Sequence, residues 1–189
     1  NFYALSICMF LLSNIYGQNT VSDPANPEDI TTWYGKTIIF FSPHEDDDLE
    51  AAGTMAKLVK NGNKVLIVLY TNGNKGTHDL DMTSERLAQI RKQEDLAANK
   101  ILGIPKDNIF FLGYDDGMLE YVPQKEIVAK VCRLIRKYQP DAIFTLDPGI
   151  KYTVWHKTDH RASALLTVDG ARAAAYHLYF PEQLTQEGL

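Results

Sequence analysis

Six consecutive apolar residues, Val65-Leu66-Ile67-Val68-Leu69-Tyr70, constrain the fold more than any other stretch of this chain. A strand with one solvated face alternates apolar and polar residues, whereas an unbroken run predicts a strand covered on both faces, as in a parallel sheet flanked by helices. Ile38 to Phe41, Ile109 to Leu112 and Ala142 to Leu146 are shorter runs of the same character. The segments between them carry apolar residues three and four apart. Leu49, Ala52, Met55, Ala56 and Val59 predict one helix, and Leu87, Ile90, Leu96, Ala97 and Ile101 predict the inward face of another, from about Ser84 to Leu102, with Gly103 closing it. A third runs from about Lys125 to Tyr138, ends before Pro140 and carries Cys132 as an inert core thiol; a fourth contains Ala162, Leu165, Leu166 and Val168. Alternating strands and helices predict an α/β, Rossmann-like, mostly parallel sheet with right-handed crossovers and helices on both faces.

In such sheets ligands bind beyond the carboxyl ends of the strands, and the active site is expected there. The polar and glycine-rich segments 43–48, 71–77, 113–117 and 147–160 all follow strand ends, while the connections at the opposite edge, such as Asn61-Gly62-Asn63 and Gln139-Pro140-Asp141, are short and ordinary. Within the first of these, His44-Glu45-Asp46-Asp47-Asp48 sits in a strand-to-helix turn. One acid suffices to cap a helix; three beside a histidine repel one another unless a positive charge lies among them. A divalent metal shared by His44 and a carboxylate three residues on would supply that charge, and on this stretch alone capping and metal binding stand level. His156 falls in the last loop and His160 in the first turn of the following helix, at the same edge as His44. A His/Asp/His set with an open position is a hydrolytic zinc arrangement.

With 189 residues, 45% of them hydrophobic, the chain suits one globular domain. A formal net charge of −5 without a basic stripe argues against a nucleic-acid partner and gives an anionic membrane no purchase. Ala4 to Leu12 is an apolar segment too short to span a bilayer, and Gly17 offers a small residue for a signal peptidase. Residues 1–18 are therefore expected to be a signal peptide, 19–35 an extended leader containing Pro24 and Pro27, and 36–189 the domain. A secreted or periplasmic protein without a transmembrane helix in its mature chain follows. Processing would remove Cys8 and leave Cys132 with no disulfide partner.

Pro43-His44-Glu45-Asp46-Asp47-Asp48, followed by Gly53-Thr54, resembles the Pro-His-Pro-Asp-Asp-Glu signature of the PIG-L/LmbE-like zinc de-N-acetylases, which deacetylate N-acetylglucosamine-type amino sugars. The likeness continues in order through Thr71-Asn72-Gly73, Gly76, Arg91 with Glu94, Leu102-Gly103, Asp116-Gly117 and Asp159-His160-Arg161. It implies a metal-dependent hydrolase acting on a small-molecule or glycoconjugate substrate. By that resemblance His44, Asp47 and His160 would hold Zn2+, Asp46 would be the base that activates water, and His156 would stabilise the oxyanion. Arg91 and Asp116 would be substrate-site residues: Arg91 would reach substrate hydroxyls, and Asp116 would orient the site or simply serve its own glycine turn. Two imidazoles and one carboxylate also suit Fe2+, Mn2+ or Co2+.

The chain departs from the family pattern in three places. Glu45 replaces the second proline, Asp48 replaces the glutamate, and His156-Lys157-Thr158-Asp159-His160 is one residue longer than the family's His-x-Asp-His, so His156 needs a bulged loop to act. Few residues follow His160 where family members continue with further strands, so truncation at the C-terminus is expected. Two rival readings remain. A non-catalytic carbohydrate-binding module on the same fold has no need of Asp46. A metal-dependent phosphoesterase could use the glycine-rich loop Thr71 to Gly76, but that loop lacks the Gly-Lys-Ser/Thr ending of a phosphate-binding loop.

Overall fold

The computed structural model describes the backbone of Ile7–Leu11 together with residues 29–147 and 158–189. Among the described residues there are five strands: β1 (Ile7–Leu11), β2 (Thr37–Ser42), β3 (Lys64–Thr71), β4 (Ile109–Tyr114) and β5 (Ala142–Leu146). The helices are α1 (Ala52–Lys60), α2 (Ser84–Ile101), α3 (Gln124–Tyr138), α4 (Thr158–Ala175) and α5 (Pro181–Thr185). The sheet order is β1-β5-β2-β3-β4. β2, β3, β4 and β5 run parallel, and β1 lies antiparallel to β5 at the edge. Ile7–Leu11 falls within the segment expected to be a signal peptide. The chain thus winds outward from β2 to β4, then crosses back to place β5 on the other side of β2. That reversal opens a crevice at the carboxyl ends of β2 and β5.

The unbroken apolar runs are explained by two cores. Ile38 and Phe40, Val65, Ile67 and Leu69, and Ala142 and Phe144 point to one face, where they meet Met55 and Leu58 of α1 and Ile104. Phe40 and Phe144 stack with ring centroids 4.4 Å apart. Ile39, Phe41, Leu66, Val68, Tyr70 and Ile143 point to the other face and pack on Ile127, Val131 and Ile135 of α3 and on Ala162 and Leu166 of α4. Alternate residues of one run therefore serve opposite layers, so both sets are apolar, apart from Thr145, whose buried hydroxyl bonds Thr167. Trp33, expected in the leader, is buried in the first core, and its carbonyl accepts from Asn63 Nδ2 at 2.7 Å. Cys132 is buried in α3 as a free thiol.

Two helix faces differ from the sequence expectation. The residues before α1 form a 3-10 turn over Asp47–Ala51, so the buried face becomes Ala51, Met55 and Leu58, and Leu49 is left 45% exposed. In α2 Leu87 is buried as expected, but Ile101 is 86% exposed and Ala97 faces solvent, while Asp95 and Asn99 are buried. The second half of α2 lies against the acidic turn after β2, where Asp95 feels Asp48 and Glu45, so its inward positions are polar. Gly103 follows α2 with φ +83°, a conformation glycine adopts freely, as expected of its cap. Among the described residues no helix is long and apolar enough to cross a membrane.

α3 and α4 are joined at close range. Arg136 of α3 is buried and donates to the carbonyls of Ala173 (3.2 Å), Tyr176 (3.0 Å), Tyr179 (2.8 Å) and Phe180 (3.0 Å), satisfying acceptors at and beyond the end of α4. Gly170 lies so near Val131 that a Cβ would overlap that side chain. Gly170→Ala is therefore expected to cost about 1–3 kcal/mol through overpacking despite its better helix propensity. Urea midpoints check this, and pairing it with Val131→Ala should recover part of the loss.

Candidate metal centre

The loops at the carboxyl edge are held side by side by hydrogen bonds that extend the sheet. Pro43 ends β2, and its carbonyl accepts both from Thr71 N–H at 3.0 Å and from the Thr71 hydroxyl at 2.9 Å. Asn72 N–H donates to Tyr114 O at 2.9 Å, and the Asn74 side chain accepts from Asp116 N–H at 3.0 Å. The Ser42 hydroxyl donates to the His44 carbonyl at 3.1 Å and closes the turn that presents the imidazole.

His44 is buried with both ring nitrogens engaged. Nδ1 lies 2.9 Å from Asp47 Oδ2, and Nε2 lies 3.0 Å from Asp116 Oδ1 and 3.3 Å from Asp159 Oδ2. His160, on the first turn of α4, places Nε2 3.3 Å from the same Asp47 oxygen, and the two imidazoles are 5.3 Å apart. Burial alone would push the His44 pKa down, but its hydrogen bonds to Asp116, Asp159 and Asp47 reverse this and raise it to about 11. Burial likewise pushes Asp47 up, yet His160 and His44 hold it well below the usual carboxylate range.

Among the described residues two groups could hold a metal ion: His44, Asp47 and His160, or His44, Asp116 and Asp159, each with ligand atoms within 4.8 Å of one another. The chemistry of the donors separates them. Asp159 is 1% exposed, and both its oxygens are already committed, Oδ2 to Gly117 N–H at 2.5 Å and Oδ1 to Leu119 N–H at 3.0 Å. Asp159 and Asp116 are thus placed to accept from one nitrogen of His44 while the other faces Asp47, an arrangement that suits a ligating histidine. The first group, two imidazoles and a carboxylate, fits a divalent transition metal.

The three consecutive aspartates have three destinations. Asp46 occupies the cap position of the 3-10 turn, but its side chain makes no capping hydrogen bond and stands exposed on a cleft of about 310 Å³. Asp47 turns to the two histidines. Asp48 turns inward, both its oxygens buried without a donor in hydrogen-bond geometry. Burial raises it to about 6, and the neighbouring Asn99 amide, already donating to Asp95 Oδ1 at 3.0 Å, relieves this little. Asp95, 2% exposed, is raised to about 7 by burial and then by the charges of Asp48 and Glu45.

Arg91 and Asp116 line the same cleft as His44 and Asp46, and Arg91 Nη1 donates to Glu94 Oε2 at 3.1 Å. His156 lies outside the described residues. The sequence reading gave no separate role to Asp159, which anchors His44, nor to the buried pair Asp95 and Asn99. Two polar residues four apart on an otherwise inward helix face were the available signal for that pair.

Asp95 supplies a pH-dependent prediction. Its folded pKa lies above an unfolded value of about 3.9, so the stability held by the protonated acid is complete below that value and is lost as pH rises through about 7. Asp95→Asn removes the charge cost. Relative to the parent it should gain on the order of 1–2 kcal/mol above pH 7 and little near pH 4. Urea midpoints across that range test this, and a constant difference between the two proteins would refute it.

The GlcNAc-PI de-N-acetylase (PIG-L) family profile matches residues 39–171, from within β2 to within α4, an interval containing both candidate metal groups. A diacetylchitobiose deacetylase of Thermococcus kodakarensis is 31% identical over 140 residues, which cover 74% of this chain and 50% of that protein. A 1D-myo-inositol 2-acetamido-2-deoxy-alpha-D-glucopyranoside deacetylase of Kineococcus radiotolerans is 25% identical over 198 aligned positions, covering 82% of this chain and 55% of the relative. Among solved structures, N,N'-diacetylchitobiose deacetylase from Pyrococcus horikoshii superposes with a TM-score of 0.72 at 30% identity, over 79% of this chain and 54% of that one. The chain spans about half the length of the relatives it matches. With the profile covering most of its residues and the sheet, crevice and imidazole–carboxylate cluster in place, this chain belongs to the PIG-L, GlcNAc-PI de-N-acetylase family.

Proposed function

We propose that this domain hydrolyses the N-acetyl group of an N-acetylglucosamine-type amino sugar, with a divalent cation, Zn2+ by preference, held by His44, Asp47 and His160. The observation that carries this reading is the parting of Asp46 from Asp47: one carboxylate is drawn to the imidazoles while its neighbour stands unbonded to the turn and open to the cleft. The deacetylases of N-acetylated sugars among its relatives support the substrate class.

When bound, such an ion supplies Lewis acidity, polarising an amide carbonyl and drawing the pKa of water down towards about 7. The remaining work belongs to the side chains. Asp46 takes the proton of the attacking water and returns it to the departing amine. Asp116 and Asp159 keep a proton on His44 Nε2, so Nδ1 offers its lone pair. Arg91 binds sugar hydroxyls at the cleft wall, and His156 stabilises the negative oxygen that develops on the acyl carbon. We further propose export: removal of residues 1–18 would take away β1 and leave β5 at the sheet edge, and the mass of the mature protein tests it.

Asp46→Asn should keep one metal ion per chain but lose amine release from N-acetylglucosamine derivatives by about 10²–10⁴-fold; unchanged turnover would remove the base. A carbohydrate-binding module would show sugar binding and no turnover in the parent protein. His160→Ala should empty the site in elemental analysis, and full occupancy would show that the ligand set is wrong. Because the His44 pKa is raised to about 11, metal loading at neutral pH should expel about one proton. Calorimetry in buffers of different ionisation enthalpy reads that number directly, and zero release would contradict Nδ1 coordination.

A further inference from the structure

The walls of the cleft carry an unusual charge balance. Among the described residues, Glu45, Asp46, Glu94, Asp95 and Asp116 face it against the single guanidinium of Arg91, which is itself paired with Glu94 at 3.1 Å. The glycine-rich loop Thr71 to Gly76, the candidate phosphate cradle of the sequence, has its groups committed. The Glu45 carboxylate lies so close to Gly73 that a Cβ there would overlap it. Asn74 Nδ2 donates to Ser84 Oγ at 2.8 Å and Asp115 Oδ1 at 3.0 Å, and Lys75 Nζ reaches Asp115 Oδ2 at 3.4 Å. An acidic side chain of the protein itself thus sits against the loop where an anionic ligand would have to come.

Two contributions oppose this negative balance, and neither cancels it. Burial raises Glu45, and raises Asp95 to about 7, which weakens the negative balance, but Asp46, Glu94 and Asp116 still face one guanidinium. A divalent ion on His44, Asp47 and His160 adds only one net positive charge once Asp47 is counted. A low-dielectric cleft of one sign concentrates ligands of the other and rejects like charge.

We propose that this cleft selects its amino-sugar substrate by the charge of the attached group, favouring an ammonium-bearing partner, such as a glucosamine already freed of its acetyl group, over a phosphate. The inference rests on the deacetylase reading above and narrows its substrate class to neutral and cationic glycans. Rejection of phosphate comes from the acidic walls, and acceptance of an ammonium group comes from the same carboxylates acting as hydrogen-bond acceptors.

The test compares three ligands of the metal-loaded protein at about pH 8: N-acetylglucosamine linked to glucosamine, N,N'-diacetylchitobiose, and N-acetylglucosamine 1-phosphate. Binding is measured by calorimetry and amine release separately, at about 20 mM and about 0.5 M salt. Binding should fall in the order cationic, neutral, phosphorylated, with at least about a tenfold span at low salt that shrinks at high salt. Glu94→Gln combined with Asp95→Asn should narrow the span. Phosphate binding as tight as the neutral sugar, a span indifferent to salt, or no binding of any of the three overturns the proposal. Retention of the binding order without amine release would leave charge selection standing and remove the hydrolase reading; hydrolysis of all three alike would do the reverse.

Discussion

The carboxyl edge of this domain depends on a two-sided grip on His44. Asp47 holds one ring nitrogen, and Asp116 and Asp159 hold the other. These carboxylates come from the turn after β2, the loop after β4 and the start of α4, so one imidazole ties together segments on both sides of the point where the strand order reverses. Asp159 is the strongest tie. Its backbone belongs to α4, but its oxygens accept N–H groups from Gly117 and Leu119 in the loop after β4. A ring flanked by carboxylates at both nitrogens favours the imidazolium, and for that reason the His44 pKa is raised so far. A cation at Nδ1 would take the place of that proton and leave the rest of the cluster unchanged.

The 3-10 turn between β2 and α1 distributes the chemistry. Three residues per turn separate neighbouring side chains by about 120°, so consecutive aspartates project in three directions. The first stands in the cleft, the second meets the histidines and the third enters the protein. Capping, which the sequence alone could not distinguish from metal binding, would require the Asp46 side chain to fold back onto the turn, and it does not. The same tight winding turns Leu49 away from the core and sets it on the cleft wall.

The strand–helix alternation, the parallel core strands and the edge carrying the polar loops were legible in the sequence because apolar periodicity reports burial directly. Val65 to Tyr70 could only be a strand covered twice over, and it is. Grouping His44, Asp47 and His160 took more than periodicity: it needed the sheet rule that gathers strand-end loops, together with the family likeness. The failures share one cause. Leu49, Ala97 and Ile101 were assigned inward by helical spacing, which assumes both an unbroken α-helix and an apolar partner. A 3-10 turn broke the first assumption, and an acidic turn facing α2 broke the second. Asp159 carried no periodic signal, because its importance lies in two backbone N–H groups contributed by a distant loop.

The two edges of the sheet use similar residues to opposite ends. At the amino edge Asn63, Asp141 and Asn108 close connections, although the buried Trp33 Nε1 has no acceptor. Asn63 accepts from Lys36 N–H at 2.9 Å and donates to Trp33 O at 2.7 Å and Leu58 O at 2.9 Å. Asp141 accepts from Thr37 N–H at 2.8 Å, and Asn108 donates to Val65 O at 3.0 Å. At the carboxyl edge Glu45 Oε1, both oxygens of Asp48, Asp95 Oδ2 and Asn99 Oδ1 are buried without donors. Unsatisfied buried acceptors each cost about 1–3 kcal/mol, and like charges held together add to that. Such a concentration of buried acceptors at the carboxyl edge marks where the sequence gives up stability for a chemical task. The strain lies directly behind the turn that separates Asp46 from Asp47, so the buried acids belong to the same local arrangement: they back the turn that sends one carboxylate to the imidazoles and leaves its neighbour open to the cleft.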